Sequence, residues 1–398
     1  MSQKVQRPNR VWLTAFVLAA SLFASACGAS DATPTAEFKP QVTFFTPEAK
    51  AAQPTESTAT PEAQPQVAAP TAAPAQPNAP LAANANPFTG LPVDEAVLKR
   101  RPLLIKVANT PEIRPLSGLQ AADVVVEHYA EGGITRFTAL FLGNSPDKVG
   151  SVRSCRLIDK ELPIIFDTAL ICSGMSGPVK EIIRNSPVHQ NGYTMISDFG
   201  ECENPGFPKA GGCPLFRDPP DFSYAPHNLW ANPANGWAKL TEKDKNQPSR
   251  FRSWIFSTAA PAQGTAVSSV TFDYKYGLIG WSYDARTGLW ARSLAGSPFA
   301  DKTTGKAITA ANVVAVEVPH ITTLIVEDHT GAHSIEIQLW GEGPAKFFRD
   351  GKLVFGRWKR TSEPGVFEFY DGDGKPYALK PGNTWLQMVP ADLVITAK

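Results

Sequence analysis

The stretch "VGSVRSCR", Val149 to Arg156, sets a serine and a cysteine between two arginines. A thiol beside guanidinium groups is a candidate nucleophile, because positive charge lowers its pKa. The same arginines could instead hold an anion, with Cys155 a bystander. Two further stretches are rich in polar side chains. "VEHYAEGGITR" carries Glu127, His128, Glu131 and Arg136, and "FRDPPDFSYAPHNLW" carries Arg217, Asp218, Asp221, His227 and Asn228. Arginine forks match carboxylates and phosphates. A Ser154 that caps a following helix would add free backbone N–H groups to such an anion site. The competing reading is a structural ion-pair network, which gathers the same residue types. His227 is a candidate general acid or base, or a loop-fixing residue behind Pro226. Glu127 and Glu131 are candidate paired carboxylates for glycoside chemistry, or simply partners of Arg136 and Arg153.

Several chemistries are excluded by what is missing. The sequence has no Gly-rich phosphate loop, no G-x-S-x-G elbow and no H-E-x-x-H pair. "HTGAH", His329 to His333, has metal-compatible spacing but reads as a turn between two strands. "DGDGK" lacks the glutamate at the twelfth position that a calcium loop needs, so it reads as a hairpin turn. No metal and no cofactor are expected. Charged residues make up 19% of the chain and the formal net charge is +1, which gives no basis for a nucleic-acid partner.

The N-terminus indicates the compartment. Lys4, Arg7 and Arg10 precede the apolar run "VWLTAFVLAASLF", and "ASA" leads into Cys27. This is the layout of a secretory signal peptide over residues 1–27. Its cysteine is placed like a lipobox cysteine, the lipidation site, although Ala24 stands where Leu is commoner. Residues 28–86 are dominated by Pro, Ala, Thr and Gln and read as a disordered tether. Export allows disulfides among Cys155, Cys172, Cys202 and Cys213, with three possible connectivities. The Gly- and Pro-rich loop "CENPGFPKAGGC" favours Cys202–Cys213.

The elements that must position these side chains fall into two regions, 87–250 and 251–398. In the first, "RPLLIKVAN", "VVVEHYA", "ITRFTALFLG" and "TALICSG" read as strands, the second and third joined as a hairpin through "EGG". Helices are predicted over about 157–166 and at "PVKEIIRN". The second region is a series of short strands with Gly- and Asp-rich turns. The expected fold is α+β, an N-terminal α/β layer domain followed by an antiparallel β-rich domain.

These motifs, taken in order, resemble the YerB-type bacterial lipoproteins, whose N-terminal region is classed as a domain of unknown function. The resemblance runs through "NPFTGLPVDEAVLKRRPLLIKVANTPEIRPLSGLQAADVVVE", "EGGITRF", "KVGSVRSCR", "FRD" and "YAPHNL". It continues through "YDARTGLWAR", "GEGPAKFFRDGK", "GRWKR" and "PGNTWLQMVP". It implies an exported protein, lipid-anchored to the outer face of the bacterial cell membrane. The family's motifs coincide with Arg114, Glu131, Arg136, Arg153, Arg156, Arg217, His227 and Asn228. The family pattern reads Ser-Ala-Arg where this chain has Ser154-Cys155-Arg156, which argues against a catalytic thiol. Two functions are then open. One is a binding protein whose Arg-lined cleft, with Ser154 at its corner, holds an anionic or cell-wall-glycan ligand. The other is a peptidoglycan hydrolase or lyase that transfers protons through His227 or a glutamate.

Overall fold

The computed structural model describes residues 82–190, 195–196, 213–217, 227–327, 329–361 and 365–398, with backbone only at 195–196. All of them belong to the second of two compact units, Thr71–Lys398. Cys27, the tether up to residue 81 and Cys202 lie outside the described residues.

The chain is strand-rich, with antiparallel and mixed sheets. The strands along the main path of the principal sheet, in chain order, are β1 (Leu103–Val107), β2 (Val124–Tyr129), β3 (Thr135–Phe141), β4 (Ala169–Ile171) and β5 (Met195–Ile196), then β6 (Asn312–Glu317), β7 (Gly341–Arg349), β8 (Lys352–Arg360), β9 (Glu368–Asp371) and β10 (Thr384–Val389), with the short strand Thr265–Ala266 paired to β8 off that path. Across the sheet they lie in the order β9-β8-β7-β6-β10-β2-β3-β1-β4-β5. Strands from both halves of the sequence are therefore hydrogen-bonded neighbours: β2 pairs with β10 in parallel, Val124 opposite Thr384. β2 and β3 form the antiparallel hairpin expected from "EGG", where Gly132 (φ 68°) and Gly133 (φ 82°) take the left-handed backbone that a turn this tight requires.

Side chains alternate across the sheet, and each face has its own core. On one face Leu103, Ile105, Val107, Phe137 and Trp385 pack with Phe272, Trp281 and Trp290. Those last three belong to an antiparallel sheet built on Ser269–Tyr274, Gly277–Asp284 and Leu289–Leu294. On the other face Leu104, Val124, Val126, Leu140 and Leu386 pack with Phe166, Trp254 and Trp358. Tryptophans therefore serve mainly as core: Trp230, Trp281, Trp290, Trp358 and Trp385 are fully buried, and Trp340 is the exposed one among the described residues.

Two helices of at least eight residues occur among the described residues, α1 (Gly177–Arg184) and α2 (Pro233–Glu242). α2 lies on β1 and β4. A Cβ at Gly236 would come within 2.9 Å of Leu103 and 3.2 Å of Ile171, and Trp237 Nε1 donates to the Arg101 carbonyl at 2.8 Å. The single helix predicted over 157–166 is corrected. The chain makes a 3-10 turn at Leu157–Lys160, breaks at Glu161, and resumes as a short helix at Leu162–Phe166. Pro163 has no N–H to donate back to Asp159 and so interrupts the helical ladder, while Asp159 Oδ2 accepts the Arg156 N–H at 2.7 Å and starts the 3-10 turn. Arg156 therefore takes the N-cap position, and Ser154 does not cap a helix.

The predicted turns are found as turns. "HTGAH" links the strands His320–Val326 and His333–Ile337, and Asp371 Oδ1 accepts two backbone N–H groups within "DGDGK". Cys155 is disulfide-bonded to Cys172. Cys213 is also disulfide-bonded.

Candidate functional site

The segment Arg153–Arg156 crosses the carboxyl ends of β1 and β4, which run parallel. Arg153 N–H donates to the Lys106 carbonyl at 3.0 Å, Ser173 N–H to the Arg153 carbonyl at 3.0 Å, and Cys155 N–H to the Gly174 carbonyl at 2.9 Å. The Cys155–Cys172 disulfide adds a covalent tie between the same two segments. With both sulfurs in that bond and both cysteines fully buried, residue 155 carries no nucleophilic thiol.

This frame presents Arg136, Arg153, Ser154, Arg156 and Arg217 to one cavity of about 370 Å³, together with Glu131 and Glu327. Among the described residues that line it, four guanidiniums and two carboxylates face one another. Two of the arginines are held by Glu131. Arg156 Nε donates to Glu131 Oε2 at 2.5 Å, its Nη2 donates to Oε1, and Arg136 Nη2 donates to Oε1 at 2.7 Å. Burial alone would raise the Glu131 pKa. The Arg156 hydrogen bond and the charges of Arg136 and Arg156 outweigh it and hold the carboxyl at about 2. Arg136 also donates through Nη1 to the Ser154 carbonyl at 2.9 Å.

The other two arginines meet the second polar stretch. Arg217 Nη1 donates to Asn228 Oδ1 at 2.7 Å, and Arg153 Nη2 donates to His227 Nδ1 at 2.5 Å. Burial and the Arg153 charge both lower the His227 pKa, so its neutral form is favoured.

Behind the cavity lies a buried polar group in which His128 meets Lys106, a residue that no sequence motif marked. Lys106 Nζ stands 2.8 Å from Asp159 Oδ1 and 2.9 Å from His128 Nε2, and donates to Thr138 Oγ1 at 2.8 Å. Burial lowers the Lys106 pKa to about 8 against the opposing pull of Asp159, and drives His128 well below its usual value. The available signal was a lysine in the middle of an otherwise apolar strand, where it must face a partner.

Relatives place this arrangement in a family. Residues 88–246 match the N-terminal domain, and residues 269–386 the C-terminal domain, of a protein of unknown function, DUF3048. The chain is 30% identical over 309 residues to Putative lipoprotein YerB of Bacillus subtilis (strain 168), covering 76% of this chain and 86% of that one. This chain belongs to the YerB-type family. The crystal structure of the Bacillus subtilis YerB protein matches it with a TM-score of 0.63 at 29% identity, covering 78% of this chain and 99% of the other. Within the YerB-type architecture the cavity draws on both domains, since Glu131, the four arginines and Ser154 lie in the first matched region and Glu327 in the second.

Two of the candidate residues lie elsewhere. Glu127 faces the opposite side of the sheet from His128, as period-two alternation requires. It is fully buried, with Arg292 Nη2 2.9 and 3.1 Å from its two oxygens. Thr135, Trp385 and Gln387 donate to it as well. Arg114 lies in a separate cavity of about 230 Å³ with Asn109, Thr135 and Tyr274, and its Nε donates to Asn109 Oδ1 at 3.1 Å.

Proposed function

We propose that this chain is an exported lipoprotein, anchored through Cys27 to the outer face of the bacterial cell membrane and carried on the 28–86 tether. Its arginine-lined cavity binds an anionic, cell-wall-related ligand. The lipobox-like start and the name of the Bacillus subtilis relative support the anchor. The α/β layer character of residues 87–250 is part of the same proposal, supported by the parallel β1–β4 pair under α2. The observation that carries the binding reading is the convergence of Arg136, Arg153, Arg156 and Arg217 on one cavity. Such a site favours carboxylates or phosphates through charge-assisted hydrogen bonds.

The hydrolase or lyase alternative has less support. Glu131 is held ionised by two arginines, which does not suit a proton donor. Glu127 is enclosed in the core on the other face. His227 stays a proton-transfer candidate through its unprotonated form. Incubating the full-length protein with purified peptidoglycan separates the two. Saturable retention without soluble products, lost in Arg153→Ala plus Arg217→Ala, is the expected outcome. Release of soluble fragments that stops in His227→Ala would establish the enzyme instead.

A further inference from the structure

We infer that the cavity takes a ligand bearing a primary ammonium beside its anionic groups, with Glu327 as the partner of that ammonium. The inference rests on the anion-binding reading and narrows its ligand class. Glu327 follows the strand His320–Val326, and its side chain is fully shielded from solvent while lining the arginine cavity. Neither of its carboxylate oxygens has a hydrogen-bond partner. Arg156 Nε is 3.7 Å away and already donates to Glu131 Oε2 at 2.5 Å, and the Arg136 charge also acts on Glu327.

A buried carboxylate without donors is costly, so it marks a place where an incoming donor gains most. The anionic ligand proposed for this cavity is organic, so the donor that suits Glu327 is one carried on that same molecule. An ammonium supplies three N–H groups and a compensating charge. Four guanidiniums around the cavity would repel a lone amine. The amine therefore enters only on a molecule whose carboxylates or phosphates engage those guanidiniums. Amino-terminated acidic peptides and related amino acids have this chemistry.

The test compares two small molecules of one skeleton, alanyl-glutamate and propionyl-glutamate, which differ in the amine. Both are titrated calorimetrically into the full-length protein and its Glu327→Gln variant. Alanyl-glutamate is expected to bind the unchanged protein at least about tenfold more tightly than propionyl-glutamate. In Glu327→Gln that preference disappears while propionyl-glutamate still binds, which shows that the cavity is intact. Equal affinity of the two compounds for the unchanged protein overturns the ammonium assignment and leaves anion binding standing. Equal weakening of both by Glu327→Gln also overturns it, making Glu327 structural. No binding of either compound overturns the ammonium assignment and the anion reading together.

Discussion

Glu131 sits between two guanidiniums that would otherwise repel each other, so its charge supports the fold as well as shaping the cavity. Its pKa is about 2 in the folded protein against an ordinary 4.5. The stability it adds is complete above pH 4.5 and is lost as the pH falls toward 2. Asp123 acts in the opposite sense. Burial raises its pKa to about 6 from 3.8 despite hydrogen bonds from Gly143, Leu142 and Asn86, so the folded state gains stability as the pH falls through that window. Comparison with Glu131→Gln removes the Asp123 contribution. The variant is expected to be roughly 3 kcal/mol less stable at neutral pH, and the gap in chemical denaturation should close between about pH 5 and about pH 2. A gap that stays constant over that range would show that Glu131 does not act through its charge. Glu127→Ala is expected to cost about 3 to 5 kcal/mol, because Arg292 is left buried without its carboxylate. The clusters around Arg153, Arg217 and Glu131 were legible from residue type alone. Glu127 was not separable from Glu131 by strand period, since a four-residue step keeps one face; what separates them is that the strand ends at Tyr129 and Glu131 lies beyond it in the turn.

At the scale of elements, the segment holding Arg153 to Arg156 depends on its ties to β1 and β4. The disulfide spans a sequence separation of 17 residues, and closing such a loop stabilises a chain by about 3 kcal/mol. Cys155→Ala plus Cys172→Ala should therefore lower the urea midpoint. It should leave ligand affinity within about twofold, because three backbone hydrogen bonds continue to hold the segment. Loss of binding at full folding would show that the disulfide itself shapes the cavity. Spacing permits three connectivities, and Cys155–Cys172 belongs to the same one as the favoured Cys202–Cys213 pair, whose Cys202 lies outside the described residues. The break at Glu161 has a local signal in Pro163, which removes one helical donor, although Leu157, Ile158, Leu162, Ile164, Ile165 and Phe166 are all buried and leave no clean apolar stripe to show the period. The strands were easier to read, because alternating or wholly apolar runs end at Gly, Asp and Pro.

At the scale of the molecule, residue 250 marks a change in sequence character, yet strands on either side share the principal sheet. β2 gives one edge to β3 and the other to β10. Cooperative unfolding follows, because separating the halves would strip β2 of a parallel partner and open both cores. Thermal unfolding of the full-length protein should show the regions before and after residue 250 melting in one transition. Two separated transitions would contradict it. The strand content was legible from sequence, whereas β2–β10 pairing across about 260 residues leaves no local signal. The arginine cavity inherits this dependence, taking Glu327 from the far side of that division. The most direct test of the cavity's role is calorimetric titration of soluble peptidoglycan fragments into the full-length protein and into Arg153→Ala plus Arg217→Ala. Saturable binding by the unchanged protein, weakened at least about tenfold in the variant and by added salt, is the expected result. Binding of equal strength to both proteins, or none to either, would contradict an anion site at these arginines.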